Sequence, residues 1–452
     1  MRYIQPMPEV APSGMRVVET PVYTHIRRAA FFVLTLALVL GGCATGLQRT
    51  SSPESVGISS ERLKDVSAAF QGGVDKREIP GAVVLIARHN KVAYLEAFGY
   101  RDREAAAPMG RDSIFRIASM TKPVTSVAAM MLVEEGKLNL SDPVSRYLPE
   151  FKDVKVGVET KDASGKAVLT LQAADREMTV LDLMRHTSGI TYDFTGKSLV
   201  RDQYNKEDPR SAQSNSEFVS RLARAPLQNQ PGAVWDYSYS TDVLGRIVEV
   251  LSGMELEQFF SERIFKPLGM TDTAFWFSDP GKQGRIAEVQ ADPATGKRPS
   301  MPDKTKKNWQ SGGGGLASTA DDYARFCQML LNGGELNGRR LIYRKTVEQM
   351  TQNQLPQGIK INHFPIPIID VRPEAGNGFG LGFMMRTADG RSTISGNVGD
   401  LSWPGIFGTY FLVDPKKDMI AILMIQVPAA ARPVRDKYWT ELRSVVYKAL
   451  ID

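Results

Sequence analysis

A serine hydroxyl attacks a carbonyl efficiently only when a neighbouring group takes its proton. In Ser119-Met120-Thr121-Lys122 the chain sets such a hydroxyl three residues before an amine. Val124, Val127, Ala128, Met131 and Leu132 follow at helical spacing, and Gly136 supplies a stop signal. The offset places Ser119 and Lys122 on one helix face, within hydrogen-bonding reach. The helix start leaves backbone N–H groups beside Ser119, as an oxyanion site requires. By itself the pair could equally be an N-capping serine on a buried helix, because a chain of 452 residues holds about one Ser-x-x-Lys by chance.

More motifs follow along the chain: Asp182-Leu183-Met184-Arg185-His186-Thr187-Ser188-Gly189, then Pro231-Gly232-Ala233-Val234-Trp235-Asp236-Tyr237-Ser238-Tyr239. Ser311-Gly312-Gly313-Gly314-Gly315-Leu316-Ala317-Ser318-Thr319 and Trp403-Pro404-Gly405-Ile406-Phe407-Gly408-Thr409 complete the set. In order and spacing, from roughly Ser59 to Leu450, they resemble the serine β-lactamase-like family. That family includes class C β-lactamases, D-alanyl-D-alanine carboxypeptidases and family VIII esterases.

The resemblance implies that Ser119 is the nucleophile and Lys122 its proton-handling partner. Tyr237, in the place of the family's Tyr-x-Asn tyrosine, would complete the base. An ammonium favours a neighbouring phenolate, whereas a desolvated lysine could act directly, so both bases stay open. Trp403-Pro404-Gly405 takes the family's Lys-Thr-Gly place on the strand lining the cleft, where proline calls for an edge strand. Gly405 is expected to let substrate lie close, and the Ile406 N–H to join that of Ser119 in an oxyanion hole. Tyr239 stands where an asparagine would bond a substrate amide, and Trp403 where a lysine would pair with a substrate carboxylate. Each lost contact is worth roughly 1.5–3 kcal/mol, and Trp403 offers an apolar wall instead, so uncharged esters are expected ahead of β-lactams or D-alanyl peptides. Arg386 or Arg391 could restore a carboxylate contact.

Other chemistries find less support. A Ser-His-Asp triad through His186 with Asp182 or Asp193 is set aside, because in the family the His-Thr-Ser-Gly stretch ends a helix and supports the site. Gly312–Gly315 lacks the Lys-Ser/Thr of a phosphate loop and is read as backbone passing close to the site before a helix capped by a Thr319/Asp322 box. Four histidines without metal spacing and two cysteines, Cys43 and Cys327, make a metal centre or disulfide unexpected, and no cofactor is implied. The net charge of +6 is scattered rather than gathered into a stripe, which disfavours nucleic acid as a partner. A small-molecule ester or amide is the expected partner.

The elements that must position these residues are legible in outline. Arg27-Arg28, the apolar run Ala29–Leu40 and Leu40-Gly41-Gly42-Cys43 read as an export signal over 1–42. Its ending resembles a bacterial lipobox, with Cys43 lipidated and outer-membrane retention favoured by Ala44. A polar tether (43–57) follows, then a hydrolase domain (58–452) with a helical subdomain over roughly 120–310. Ser59 caps a helix carrying Leu63, Val66 and Phe70. Hairpins are expected from Ala82–Ala87 with Val92–Phe98 and from Gly408–Val413 with Met419–Ile425, and Asp153–Glu177 reads as a surface hairpin or loop insertion. A last helix presents Trp439, Leu442, Val446, Ala449 and Leu450. The fold class is α+β: an antiparallel sheet built from both chain ends, flanked by helices, with a helical insertion. From a different class, a non-catalytic cell-envelope binding lipoprotein is the competing reading.

Overall fold

The structure, a computed structural model, describes residues 47–451 apart from 293, 294, 308 and 363–366. The expected export signal and the first four tether residues, Cys43 among them, lie outside the described residues; the rest of the expected tether is packed on the domain, with Gln48–Arg49 paired to Lys91–Val92 and Val56 buried. Both chain ends feed one sheet. The N-terminal part contributes β1 (Gln48–Arg49), helix α1 (Leu63–Asp75), β2 (Gly81–Arg88) and β3 (Lys91–Asp102). Three helices that bear on the site come next: α2 (Thr121–Glu134), α3 (Ser240–Ser252) and α4 (Ala320–Leu331). The C-terminal part adds β4 (Asn377–Phe379), β5 (Met384–Arg386), β6 (Leu401–Pro404), β7 (Tyr410–Asp414), β8 (Met419–Ile425) and helix α5 (Arg432–Ala449).

The strand order is β1-β3-β2-β8-β7-β6-β5-β4, with the short strand Ala107–Pro108 also on β3. Every pairing is antiparallel except the two-residue β1, which runs parallel to β3. The two chain ends meet where β2 pairs with β8, in register from Arg88↔Met419 to Ala82↔Ile425. Successive side chains point to opposite faces of a strand. Accordingly Val83, Leu85 and Ala87 enter one core, while Ala82, Val84 and Ile86 enter the other. Burial on both faces explains why these strands read as unbroken apolar runs.

On one face, α1 and α5 bury Phe70, Val74, Trp439, Leu442 and Val446. On the other lie α2 and the rest of the helical body. Helix α2 is buried from Thr121 to Leu132, so its apolar positions extend well beyond one stripe, as suits a central helix. Val156–Lys161 and Ala167–Gln172 form a separate two-stranded hairpin.

Two local expectations are corrected. Thr319 accepts from the Asp322 N–H, but the Asp322 carboxylate turns to Asp272 N–H and Thr273, so only half of the capping box forms. Strand β6 is internal, paired with β5 and β7. Proline fits there because β5 pairs only with Leu401 and Ser402, leaving Trp403 and Pro404 beyond its end.

Candidate active site

Ser119 sits in a 3-10 turn (Ala118–Met120) that runs directly into α2. The turn is anchored on both sides: Ile117 N–H donates to Leu316 O (3.0 Å), and the Thr409 hydroxyl donates to Ile117 O (3.2 Å). Ala118 is held at φ +44°, a left-handed conformation that costs an L-residue about 1–2 kcal/mol. The packing thus stores strain next to the serine.

One turn on, the fully buried Lys122 uses its three N–H donors on three acceptors. They are Ser119 Oγ at 3.3 Å, the Tyr192 hydroxyl at 3.0 Å and Gly313 O at 2.6 Å. The other side of Gly313 is fixed by Asp242, in the first turn of α3, whose Oδ1 accepts from Gly313 N–H (2.9 Å) and the Ser311 hydroxyl (2.5 Å). A Cβ on Gly313 would lie 2.4 Å from Asp242 Oδ2, so only glycine allows this approach. Burial raises the Asp242 carboxyl above its ordinary range, while Lys122 and these hydrogen bonds pull the other way.

Two tyrosines flank Lys122 in unlike surroundings. Tyr192 is buried, and that burial, with Tyr237 beside it, pushes its phenol far above the ordinary value. Tyr237 is half-buried, with its ring centroid 4.6 Å from Lys122 Nζ, and its oxygen accepts the Trp403 indole N–H at 2.9 Å. Trp403 is therefore more than an apolar wall.

Ser119, Tyr192, Phe194, Thr195, Tyr237, Trp403, Pro404 and Ile406 line one cavity of about 260 Å³ together with Ile369, Arg432, Arg435 and Trp439. Among the described residues no acceptor takes the Ile406 N–H. The turn that carries it is clamped from behind by α5: Arg435 donates to Ile406 O, and the Trp439 indole donates to Gly408 O at 2.8 Å.

Two expected contact residues lie elsewhere. A Cβ on Gly405 would fall 2.2 Å from the Thr409 hydroxyl and 2.4 Å from Ile117 O. The glycine is required where two backbone segments meet, and it does not line the cavity. Tyr239 is buried behind Tyr192 (ring centroids 4.3 Å apart) and donates to Asp193 Oδ1 at 2.5 Å, so it does not reach the cavity either. Arg386 is buried and donates to Ile394 O, with Asp400 3.8 Å away, and Arg391 donates to Pro373 O.

His186 is enclosed by Trp235, Tyr237 and Phe379, with Nδ1 3.3 Å from the Ser238 hydroxyl. Burial, then the charge of Lys122, lowers its basicity well below the ordinary histidine range, so it is neutral. Asp182 is held by Arg176, Arg185, Thr179 and Thr187, and Asp193 by Tyr239 and Arg210. Among the described residues no carboxylate orients the imidazole.

Sequence reasoning missed Tyr192, Asp242, Arg432 and Arg435. Tyr192 follows Gly189 by three residues on an irregular segment without periodicity to flag it. Asp242 reads as an ordinary acid in a helix first turn. The arginines read as solvated positions of the last helix.

Comparison with known proteins agrees with this architecture. A family model described as Beta-lactamase matches residues 66–443. Protein Rv1367c of Mycobacterium tuberculosis is 37% identical over 365 residues, 79% of this chain and 88% of its own. Esterase EstB of Burkholderia gladioli is 28% identical over 389 residues, 79% of this chain and 89% of its own. The solved structure of EstCE1, described as a hydrolase with promiscuous acyltransferase activity, superposes with a TM-score of 0.69 at 26% identity, over 85% of this chain and 98% of that one.

Proposed function

This chain is a serine hydrolase that belongs to the Beta-lactamase family, and we propose that it cleaves carboxylic esters through an acyl-enzyme on Ser119. The observation that carries this reading is the Lys122 hub, which joins the Ser119 hydroxyl to a tyrosine-lined, largely aromatic cavity. Lys122 Nζ is engaged by three partners, the Ser119 and Tyr192 hydroxyls and Gly313 O. Tyr192 is kept as a phenol by burial. Tyr237, which accepts an indole N–H and lies over Lys122 Nζ in the same cavity as Ser119, is taken as the proton acceptor.

In this mechanism Tyr237 reacts as its phenolate: Ser119 Oγ bonds to the ester carbon as its proton passes to the Tyr237 oxygen, which becomes the phenol. The carbonyl oxygen gains charge facing the N–H groups of Ser119 and Ile406. Collapse breaks the ester C–O bond, and the departing alcohol takes the proton back. Water then attacks the acyl carbon with Tyr237 again as base, releasing the acid and restoring Ser119. An alcohol entering in place of water would give acyl transfer, the second reading, supported by the apolar wall beside Ser119 and by the likeness to EstCE1.

Esters are favoured over β-lactams because an indole stands where the resemblance expects a substrate-binding lysine. The test sets p-nitrophenyl esters of rising acyl length against a chromogenic cephalosporin. A kcat/KM at least about tenfold higher on the best ester is expected from the missing charged contact at Trp403. Comparable values would move the protein to the β-lactamase or peptidase branch. Added alcohol should yield ester product if transfer operates.

We further propose that the protein is exported and anchored to the periplasmic side of the outer membrane through a lipid on Cys43, on the strength of Leu40-Gly41-Gly42-Cys43 and the polar stretch after it. No helix among the described residues is long and apolar enough to cross a membrane. Cys43→Ser should release the protein from membranes or block its processing. A soluble wild type cleaved after a residue other than Gly42 would refute the anchor.

A further inference from the structure

Gly312-Gly313-Gly314-Gly315 supply the carbonyl that Lys122 donates to, yet consecutive glycines give a backbone its greatest conformational freedom. Without side chains of its own, this turn is shaped by its hydrogen bonds. Within it, the Gly314 and Gly315 N–H groups donate to Ser311 O. From α3, Asp242 holds the Ser311 hydroxyl and Gly313 N–H. From α2, Thr125 donates to Gly312 O (2.6 Å), Lys122 to Gly313 O, and Thr121 accepts from Leu316 N–H (3.1 Å). Gly315 O is held by neither helix; it accepts from Lys304.

Lys304 stands where an ammonium is costly. It is 4% exposed, and its amine also donates to Phe275 O at 3.2 Å. The charged groups that face it are Arg116, Glu257 and Asp303. Arg116 is like-charged, Glu257 turns to Phe275 N–H (2.9 Å), and Asp303 accepts from Thr305. Burial, then Arg116, lowers the Lys304 amine to about 7, with Glu257 and Asp303 pulling the other way. An uncharged amine has two N–H donors, and Lys304 has two acceptors. A further proton adds a third donor and a buried charge without a carboxylate to pair it.

The segment that carries Lys304 is also fastened to the approach to Ser119. Arg116, three residues before the serine, donates to Pro302 O at 2.7 Å, and Phe277 N–H donates to Lys304 O at 2.8 Å. Phe115–Arg116 pairs antiparallel with Ala317–Ser318. Residues 302–304 thus join the strand that enters the serine turn to the last residue of the glycine turn.

We propose that Lys304 is a positioning residue for the reaction at Ser119: by holding Gly315 O it fixes the glycine turn so that Gly313 O meets Lys122, whose amine contacts the serine hydroxyl. The inference rests on Ser119 as the nucleophile and adds a residue that substrate does not touch. Neither Lys304 nor the glycine turn lines the cavity, so a slack turn acts on turnover and leaves substrate binding largely intact.

Lys304→Met keeps most of the volume and removes the donors. On a short p-nitrophenyl ester it should lower kcat about 10- to 100-fold with KM within about threefold, and slow fluorophosphonate labelling of Ser119 in parallel. Lys304→Gln, whose amide keeps two N–H donors, should recover at least about threefold of the loss. The control is Val84→Ala, on the sheet face that packs α1 and α5. It lowers the melting temperature through a core cavity and should keep kcat within about twofold. Hydrogen exchange read by mass spectrometry over 311–318 is the second readout, and Lys304→Met should speed exchange there at least about tenfold relative to β2. In the wild type that relative protection should rise from about pH 6 to about pH 8, as Lys304 loses its proton. Wild-type kcat in Lys304→Met, a loss shared equally by Val84→Ala, or unchanged exchange over 311–318 overturns the proposal. If neither Lys304 variant folds, the wild-type pH response decides, and a flat one overturns it. If the wild type neither turns over esters nor labels at Ser119, that reading falls, while exchange in the variants still decides whether Lys304 holds the turn.

Discussion

Replacing Trp403 by phenylalanine separates its two roles, as a wall and as a hydrogen-bond donor. The indole is 2% exposed, packs edge-on to Phe379 (centroids 5.3 Å apart) and donates to the Tyr237 oxygen at 2.9 Å. Phenylalanine keeps an aromatic ring in the wall and loses the N–H. The smaller ring should cost about 1–2 kcal/mol of stability through the void it leaves. The hydrogen bond acts by orienting the Tyr237 oxygen and stabilising the anionic form that takes the proton from Ser119. A bond of that charge-assisted kind is worth about 1.5–3 kcal/mol, so ester kcat/KM should fall roughly 10- to 100-fold. The deciding assay is a double-mutant cycle on a short p-nitrophenyl ester. With Tyr237→Phe the acceptor is gone, so adding Trp403→Phe should cost no more than about threefold. An equal loss in both backgrounds would show that Trp403 is only a wall and would refute the assignment of Tyr237 as its catalytic partner.

The Gly313 bridge makes Asp242 the next position to test. Asp242→Asn can keep an oxygen toward Ser311 and Gly313 N–H but removes a negative charge near Lys122; at an effective dielectric of about 20 this charge is worth on the order of 2 kcal/mol. Ester kcat/KM should therefore fall at least about tenfold at an unchanged melting temperature, while Asp242→Ala, which strands both donors, should also unfold more easily by about 2 kcal/mol in denaturant titration. At Ala118, valine should destabilise the protein by about 2 kcal/mol and reduce turnover, because a β-branched side chain at φ +44° is badly strained; glycine should stay within about 1 kcal/mol of wild type in thermal unfolding.

What the sequence reveals depends on how local the cause is. Strands β2 and β8 are readable because both of their faces are buried, so Ala82–Ala87 and Met419–Ile425 are apolar throughout. The approach of Ser119 and Lys122 follows from a single helical turn. Gly405 and Tyr239 take places that a motif alone would give to substrate, but their surroundings come from distant chain: Ile117 and Thr409 crowd the one, and Asp193 captures the other. Tyr192 reaches Lys122 from seventy positions away, and no periodicity records such a meeting. The α5 side of the cavity is hidden for a similar reason. Helical phase marks Trp439 and Leu442 as buried, yet Arg432 and Arg435 reach the cavity only because α5 crosses behind the turn at Ile406.

The central claim is that Ser119 is the nucleophile, and covalent labelling tests it most directly. Wild-type protein treated with a fluorophosphonate and mapped by mass spectrometry should carry one adduct, on Ser119. Ser119→Ala should carry none while keeping its fold, and Lys122→Ala should label more slowly by at least about a hundredfold, because the hydroxyl then lacks its neighbouring ammonium. An adduct on Ser188, Ser238 or Ser240, which form a buried hydroxyl chain beside the site, or labelling that persists in Ser119→Ala, would contradict the account.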